Sequence, residues 1–378
     1  MKTSSISKSG SGISSAAMSF RIPPSWLLDI DAGRICLIKP SALGDVVQTL
    51  PLLGMLRRRF PSATVSWVVR RDLADLVTGH PDLTEVIPFH RDGAWREWRQ
   101  LLGLLRRRRF DLVFDLQGLF RTGIMTFATG AGVRVGLQTA REGANLACNC
   151  ILPDSGRSVP AHQRYWRVAQ ALGRANDSRA GVVPATPADA SWLAEQLRHL
   201  PRPIMAVHPG AGWETKRWPV EKFGEIARRF AGSVVIVGGP SERLPGSQII
   251  LATADSPKPT LNLAGQTTLK QLAVLLKAVD LLVTNDSGPL HLAAAVETPV
   301  VGIFTCTNPL VSGPAMSGPT GQMHELISTS VACAASYCKA CPHSGAAHLA
   351  CLAELSVERV WRAVECVLDK RRSTARPA

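Results

Sequence analysis

Apolar positions along the chain fall in short runs separated by polar, glycine-bearing or proline-bearing breaks, and the runs alternate between two periods. Arg34-Ile-Cys-Leu-Ile-Lys39 has the continuous hydrophobicity of a strand covered on both faces. After the loop Pro40 to Asp45, the stretch Val46 to Phe60 places apolar residues at helical spacing until Pro61-Ser62 ends it. Thr64-Val-Ser-Trp-Val-Val69 reads as a second strand, Asp111-Leu-Val-Phe-Asp115 as a third and Val133-Arg-Val-Gly136 as a fourth. Strand, helix and strand at this spacing build a parallel sheet with helices on its faces.

The pattern pauses from Asp177 to Asp189, which is rich in Pro, Ala and small polar residues, and then restarts. Ile204-Met-Ala-Val-His208, Ser233 to Gly239, Leu281 to Thr284 and Val300 to Phe304 read as strands. Pro219 to Phe230, Leu269 to Ala278, Pro289 to Val296 and an amphipathic Ser356 to Asp369 read as helices. The expected fold class is α/β, with two Rossmann-like doubly wound domains facing a central cleft. Residues 1–25 are expected to be a disordered tail, 26–176 the first domain, 177–200 a linker region, 201–355 the second domain, and 356–378 a closing helix with a basic tail. A length of 378 residues fits two domains. In such sheets ligands gather beyond the carboxyl ends of the strands.

Composition narrows the class. With 46% hydrophobic and 19% charged residues the chain has the balance of a buried, globular protein. No apolar run reaches the length of a membrane-spanning helix. The Ser-, Gly- and Ala-rich start lacks the apolar centre of a secretory signal, so the expected compartment is the cytoplasm, possible peripheral contact with the inner face of the membrane included. There the nine cysteines are reduced thiols or metal ligands. The net charge of +14 gathers in runs such as Arg57-Arg58-Arg59, Arg70-Arg71, Arg106 to Arg109 and Arg228-Arg229, which favour an anionic partner. Each run alone is as well read as a solvated helix face. No nucleic-acid-binding signature accompanies them, so an anionic membrane surface ranks above nucleic acid.

Three loops concentrate chemistry. In Lys39 to Asp45, the acid falls at the start of a helix, whose partial positive charge keeps it ionised. It suits a general base at a strand's carboxyl end and equally a plain N-cap. In His208-Pro-Gly-Ala-Gly-Trp-Glu-Thr-Lys-Arg-Trp-Pro219, Gly210 and Gly212 allow close backbone approach, while Lys216 and Thr215 supply a charge and a hydroxyl for a diphosphate. In Thr284-Asn-Asp-Ser-Gly-Pro-Leu-His291, Asp286 or Ser287 caps a helix whose free amides form an anion site. His291 there is either a phosphate contact or a packing residue.

The ordered set "KPSALGDVVQTLP", "DLQGLFRTG", "HPGAGWETKRWP", "VGGPSE" and "NDSGPLHLAAA" resembles glycosyltransferase family 9, the heptosyltransferases of the lipopolysaccharide inner core, from about Arg34 to the last helix. The resemblance implies a GT-B fold, with acceptor on the first domain and nucleotide sugar on the second. It implies inverting transfer from an ADP-sugar co-substrate, with no cofactor required, to an anionic lipid-linked saccharide. It matches Asp45 to the general base and Lys216 to the lysine on the donor diphosphate. Glu242 matches an acid of the donor pocket, and Asp286, Ser287 and Gly288 the loop that holds sugar and phosphates, with Thr215 and His291 beside them. "GVRVGLQTARE" resembles an acceptor-side segment, which makes Arg134 and Arg141 acceptor candidates. One departure is Arg70, where the family carries an acidic residue.

Cys333-x4-Cys338-x2-Cys341-x9-Cys351 has some of the spacing of a structural zinc site, against the plainer reading of reduced thiols. Asp29-Ile-Asp31 precedes the first strand and reads as chance. Two competing readings share the scaffold: a nucleotide-sugar epimerase, and a non-catalytic nucleotide-sugar- or membrane-binding protein.

Overall fold

The computed structural model describes residues 21–153, 156, 158–316 and 321–375. Twelve strands among them form two six-stranded sheets, parallel throughout. The first sheet uses β1 (Arg34–Ile38), β2 (Thr64–Arg70), β3 (Glu85–Phe89), β4 (Leu112–Asp115), β5 (Val133–Leu137) and β6 (Cys150–Leu152). The second uses β7 (Ile204–His208), β8 (Ser233–Ile236), β9 (Thr260–Asn262), β10 (Leu281–Asn285), β11 (Val300–Phe304) and β12 (Glu325–Ser328). Their orders are β3-β2-β1-β4-β5-β6 and β12-β11-β10-β7-β8-β9. Read from its own first strand, each has the same doubly wound order, with winding reversing between β1 and β4 and between β7 and β10. The fold class expected from the alternating pattern is the one found.

Full burial on both faces explains the uninterrupted apolar strands. Ile35, Leu37 and Ile38 in β1 and Leu281, Leu282 and Val283 in β10 are all inaccessible. One hydrophobic cluster runs from Leu50, Trp67 and Phe114 of the first half to Leu275, Leu290 and Phe304 of the second, so the halves share buried surface. Smaller clusters fill the outer face of each sheet.

Three expectations shift. The helix read over Val46 to Phe60 is two helices, Leu43–Thr49 and Pro51–Arg59, because Pro51 can only open a new helix. The region 177–200 is not all linker. It carries the helix Pro187–Leu197, closed by a capping box in which Thr186 Oγ1 accepts from the Asp189 amide and Asp189 accepts from the Thr186 amide at 2.8 Å. That helix packs on Leu269–Ala278 of the second half. Of the tail expected over 1–25, residues 1–20 lie outside the described residues. The boundary at 25 falls inside a short 3-10 turn, Pro24–Leu28, whose Leu27 is buried. The last helix, Val357–Ala375, packs on β10, β11 and β12 and so closes the second half.

Candidate active site

Both winding reversals carry the chemistry-bearing loops. In the first sheet the loop after β1 leads into helix Leu43–Thr49, and β4 ends on Asp115 beside it. Asp45 sits in the first turn of that helix and accepts the Ala42 amide at 3.3 Å, so it is a cap as well as a candidate base. Two further groups hold it. Lys39 Nζ lies 3.3 Å from Oδ2, and the Tyr165 hydroxyl donates to Oδ1 at 2.7 Å. Lys39 also lies over the Tyr165 ring, 4.9 Å from its centre. Burial alone would raise the Asp45 pKa, but Lys39, Tyr165 and the Ala42 amide outweigh it and hold the carboxyl below its ordinary value. Burial pushes the Lys39 ammonium down, against the pull of Asp45 and Asp115. Burial, and then Asp45, keep the Tyr165 hydroxyl protonated far above its usual range. About a third of the Asp45 side chain stays accessible, while Lys39 is almost wholly covered. An ionised oxygen therefore faces open space with its counter-charge behind it.

Asp115 has another task. Its Oδ1 accepts the amides of Gln117 and Gly118, its Oδ2 accepts the Thr122 hydroxyl at 2.9 Å, and burial pushes its pKa up against these bonds. It shapes the turn after β4.

In the second sheet, β7 and β10 end side by side. Asn285 ties their loops together: its amide nitrogen donates to the Pro209 carbonyl at 2.8 Å, and its oxygen accepts the Trp218 amide at 3.1 Å. Trp218 is buried, with its indole nitrogen on the Leu355 carbonyl, and so anchors the loop that carries Lys216. Lys216 Nζ meets Asp286 Oδ2 at 2.7 Å and lies 4.4 Å from the Trp213 ring centre. Thr307 donates to the same Asp286 oxygen at 2.6 Å. Ser287 is the N-cap residue of helix Gly288–Ala295, with its hydroxyl 3.2 Å from His208 Nδ1. Burial holds His208 near a pKa of about 4, so it is neutral at pH 7. Glu242 accepts the Gly239 amide at 2.8 Å and lies directly against Gly210; a Cβ there would stand 2.4 Å from its Oε1.

The two centres touch. Helix Leu43–Thr49 packs on helix Gly288–Ala295. A Cβ on Gly44 would stand 2.4 Å from His291 Cδ2, and one on Gly288 would stand 2.7 Å from Leu43 Cδ2. Gln48 Nε2 lies 3.1 Å from His291 Nδ1 across the same junction. Burial lowers the His291 pKa, against Asp286 and Asp45, which face it from either half. Asp45, Gly288, His291, Asp286 and Lys216 thus lie in one run of neighbours across the junction.

Other expected residues land elsewhere. Thr215 is buried, and its hydroxyl proton is committed to the Cys338 carbonyl at 2.7 Å, so it braces the loop instead of offering a donor contact. Arg134 lies near the start of β5, at the end of the sheet away from Asp115. Its guanidinium bonds the Ala147 and Ala131 carbonyls, so it is a structural arginine. Arg141 is exposed beyond the carboxyl end of β5, with its amide on the Gly118 carbonyl at 2.7 Å, and so stands on the same strand-end edge of the sheet as Asp115, the edge that borders the cleft. Among the described residues no group of three or more His, Cys, Asp or Glu side chains is arranged to hold a metal ion. Of the four cysteines whose spacing resembles a zinc site, Cys333, Cys338, Cys341 and Cys351, Cys341 Sγ accepts the Leu349 amide and Cys338 Sγ points to the Ser336 carbonyl. Lys39 and Tyr165 were not singled out by sequence. A lysine closing an apolar strand was a usable signal, whereas Tyr165 stands 120 residues from its partner.

The sequence pattern of glycosyltransferase family 9 (heptosyltransferase) matches residues 98–346. The chain is 28% identical over 286 residues to the lipopolysaccharide core heptosyltransferase OpsX of Haemophilus influenzae, covering 74% of this chain and 81% of that one. It is 29% identical over 299 residues to lipopolysaccharide heptosyltransferase 1 of Pseudomonas aeruginosa, again covering 74% and 81%. Among solved structures, Escherichia coli ADP-heptose lipopolysaccharide heptosyltransferase II superposes with a TM-score of 0.70 at 23% identity, covering 90% of this chain and 99% of that one. A family 9 glycosyl transferase from Veillonella parvula superposes at 0.73, with 21% identity and 89% and 97% coverage. The two equivalent sheets, the junction of their switch points and the family pattern across it agree: the chain belongs to glycosyltransferase family 9, the heptosyltransferases, and is a glycosyltransferase.

Proposed function

We propose that this enzyme moves a heptose from an ADP-sugar to a lipopolysaccharide inner-core-like acceptor, with inversion at the anomeric carbon. The contact of Gly44 with His291 carries the reading, because it sets the candidate base against the candidate donor loop. In this reading Asp45 takes the proton of the acceptor hydroxyl as its oxygen attacks the face opposite the diphosphate. A low pKa keeps Asp45 ionised and makes it a mild base, which suits proton removal late in bond formation. Lys216 and the amides opening helix Gly288–Ala295 lie where charge grows on the leaving diphosphate. Asp286, Ser287 and His291 face the sugar, Glu242 the nucleoside, and Arg141 the anionic acceptor. Residues 26–176 form the acceptor domain and 201–355 the donor domain.

The test is a transfer assay with a panel of nucleotide sugars and an inner-core acceptor. Turnover with ADP-heptose and an inverted product supports the reading, as does an Asp45→Ala variant that binds ADP normally but transfers about 10²- to 10⁴-fold more slowly. Full activity in that variant removes Asp45 as base. A wild-type protein that binds no nucleotide sugar removes the whole reading.

A further inference from the structure

Away from the junction, the first half carries an exposed aromatic and basic patch that the transfer chemistry does not use. Helices Trp95–Arg107 and Phe120–Thr129 pack side by side. They run in the same direction: Trp95, Trp98 and Leu101 lie opposite Phe120 and Ile124 at one end, and Arg106 lies against Gly130 at the other. Both therefore begin at the edge where the strands of the first sheet end, which is also where the helix of Asp45 begins. Between them is an open cavity of about 420 Å³, floored by Phe89, Trp98, Leu101 and Ile124.

The rim is unusual for a water-facing surface. Trp95 is 70% exposed, Phe120 61% and Phe127 71%. Phe120, Ile124 and Phe127 share one helix face, since they follow each other by four and three residues. Arginines outnumber acids around these rings: Arg91, Arg96, Arg99 and Arg121 are all exposed, against Asp92, Glu97 and Glu142, the last of which accepts the Phe120 amide at 3.1 Å, and Arg121 lies 5.6 Å from the Phe89 ring centre. At the ends of the neighbouring strands Arg71 bonds His90 at 2.7 Å. Exposed tryptophan and phenylalanine ringed by guanidinium groups match the boundary of an anionic bilayer, where rings enter the headgroup layer and arginines meet phosphates.

We infer that this patch is a membrane-docking surface: the paired helix N-termini seat on an anionic bilayer, with Trp95 and Phe120 entering the headgroup layer and Arg91, Arg96, Arg99 and Arg121 meeting lipid phosphates. The inference deepens the reading of a lipid-linked acceptor and rests on it for its purpose. The patch and the opening helix of Asp45 lie along one edge, so a saccharide rooted in that bilayer enters the cleft without the enzyme leaving the surface.

The experiment is co-sedimentation of the full chain with vesicles of phosphatidylcholine alone and of phosphatidylcholine mixed with phosphatidylglycerol. It uses no donor or acceptor, so it succeeds or fails independently of the transfer reaction. Expected results are binding to the mixed vesicles that weakens with salt, and at least about tenfold weaker binding for Arg96→Glu/Arg99→Glu and for Trp95→Ser/Phe120→Ser. Arg362→Glu/Arg372→Glu, on helix Val357–Ala375 of the other half, serves as the charge-matched control and binds within about twofold of wild type. All these positions are exposed, and unchanged thermal melts certify the fold. Failure of wild type to bind mixed vesicles overturns the inference. So does equal binding by the patch variants, or an equal loss in the control, which would reduce the effect to net charge.

Discussion

Lys39 Nζ lies 3.3 Å from Asp45 Oδ2, and of the two side chains it is the lysine that is buried. The cation has no route to solvent, so it acts as a fixed charge behind the carboxylate. Replacing it with methionine keeps the apolar stem and removes the charge. The Asp45 pKa, held below its ordinary value, then rises, because burial loses the largest of the groups that oppose it. Protonation abolishes a base, so on the proposed role of Asp45 the acid limb of kcat/KM moves to higher pH in Lys39→Met. A superimposable pH profile would show that Lys39 does not tune Asp45.

Lys216 pairs with Asp286, two residues before the helix that opens at Gly288. On the proposed reading, removing it takes away one partner of the diphosphate and leaves a carboxylate facing the phosphates. ADP should bind Lys216→Ala about ten- to a hundredfold more weakly by calorimetry. Unaltered affinity would place the diphosphate elsewhere.

The two arginines that the resemblance makes acceptor candidates, Arg134 and Arg141, separate into different classes of effect. Arg134→Ala removes charged hydrogen bonds to the Ala131 and Ala147 carbonyls, so it lowers stability by about 1–3 kcal/mol in denaturant titration. Its acceptor KM stays at the wild-type value. Arg141→Ala, exposed at the cleft edge, leaves stability within about 0.5 kcal/mol and raises acceptor KM. The reverse pattern would restore Arg134 as an acceptor contact.

Thr186 caps the helix inside the region between the halves. Thr186→Ala is expected to cost about 1 kcal/mol, read as a lower Tm. No change would mean that this helix is held by its packing on Leu269–Ala278 alone.

Much of this architecture could be read from the chain because burial on both faces leaves a plain mark. Uninterrupted runs such as Ile35 to Ile38 and Leu281 to Val283 are what a covered parallel strand requires. Short outer strands were less legible: β6 and β9 have three residues each, too few to show a period. The break at Pro51 was hidden because apolar spacing continues across it. At the site, loops with glycine, acid and lysine in a row announced themselves locally, and Lys216 and Asp286 do meet. The misreadings concern side-chain direction. Nothing in the sequence tells whether Thr215 points to a ligand or to the Cys338 carbonyl, or whether Arg134 faces the cleft or the far end of β5.

Gly44 and Gly288 matter beyond allowing close packing. Each is a notch in one half, filled by a large side chain of the other: His291 in the first and Leu43 in the second. Two interlocked notches behave like a detent in a mechanism. The halves cannot slide past one another by small degrees, since any shear drives His291 or Leu43 into backbone. To part, they must lift clear of both seats together, so the junction opens in a discrete click and not by gradual loosening.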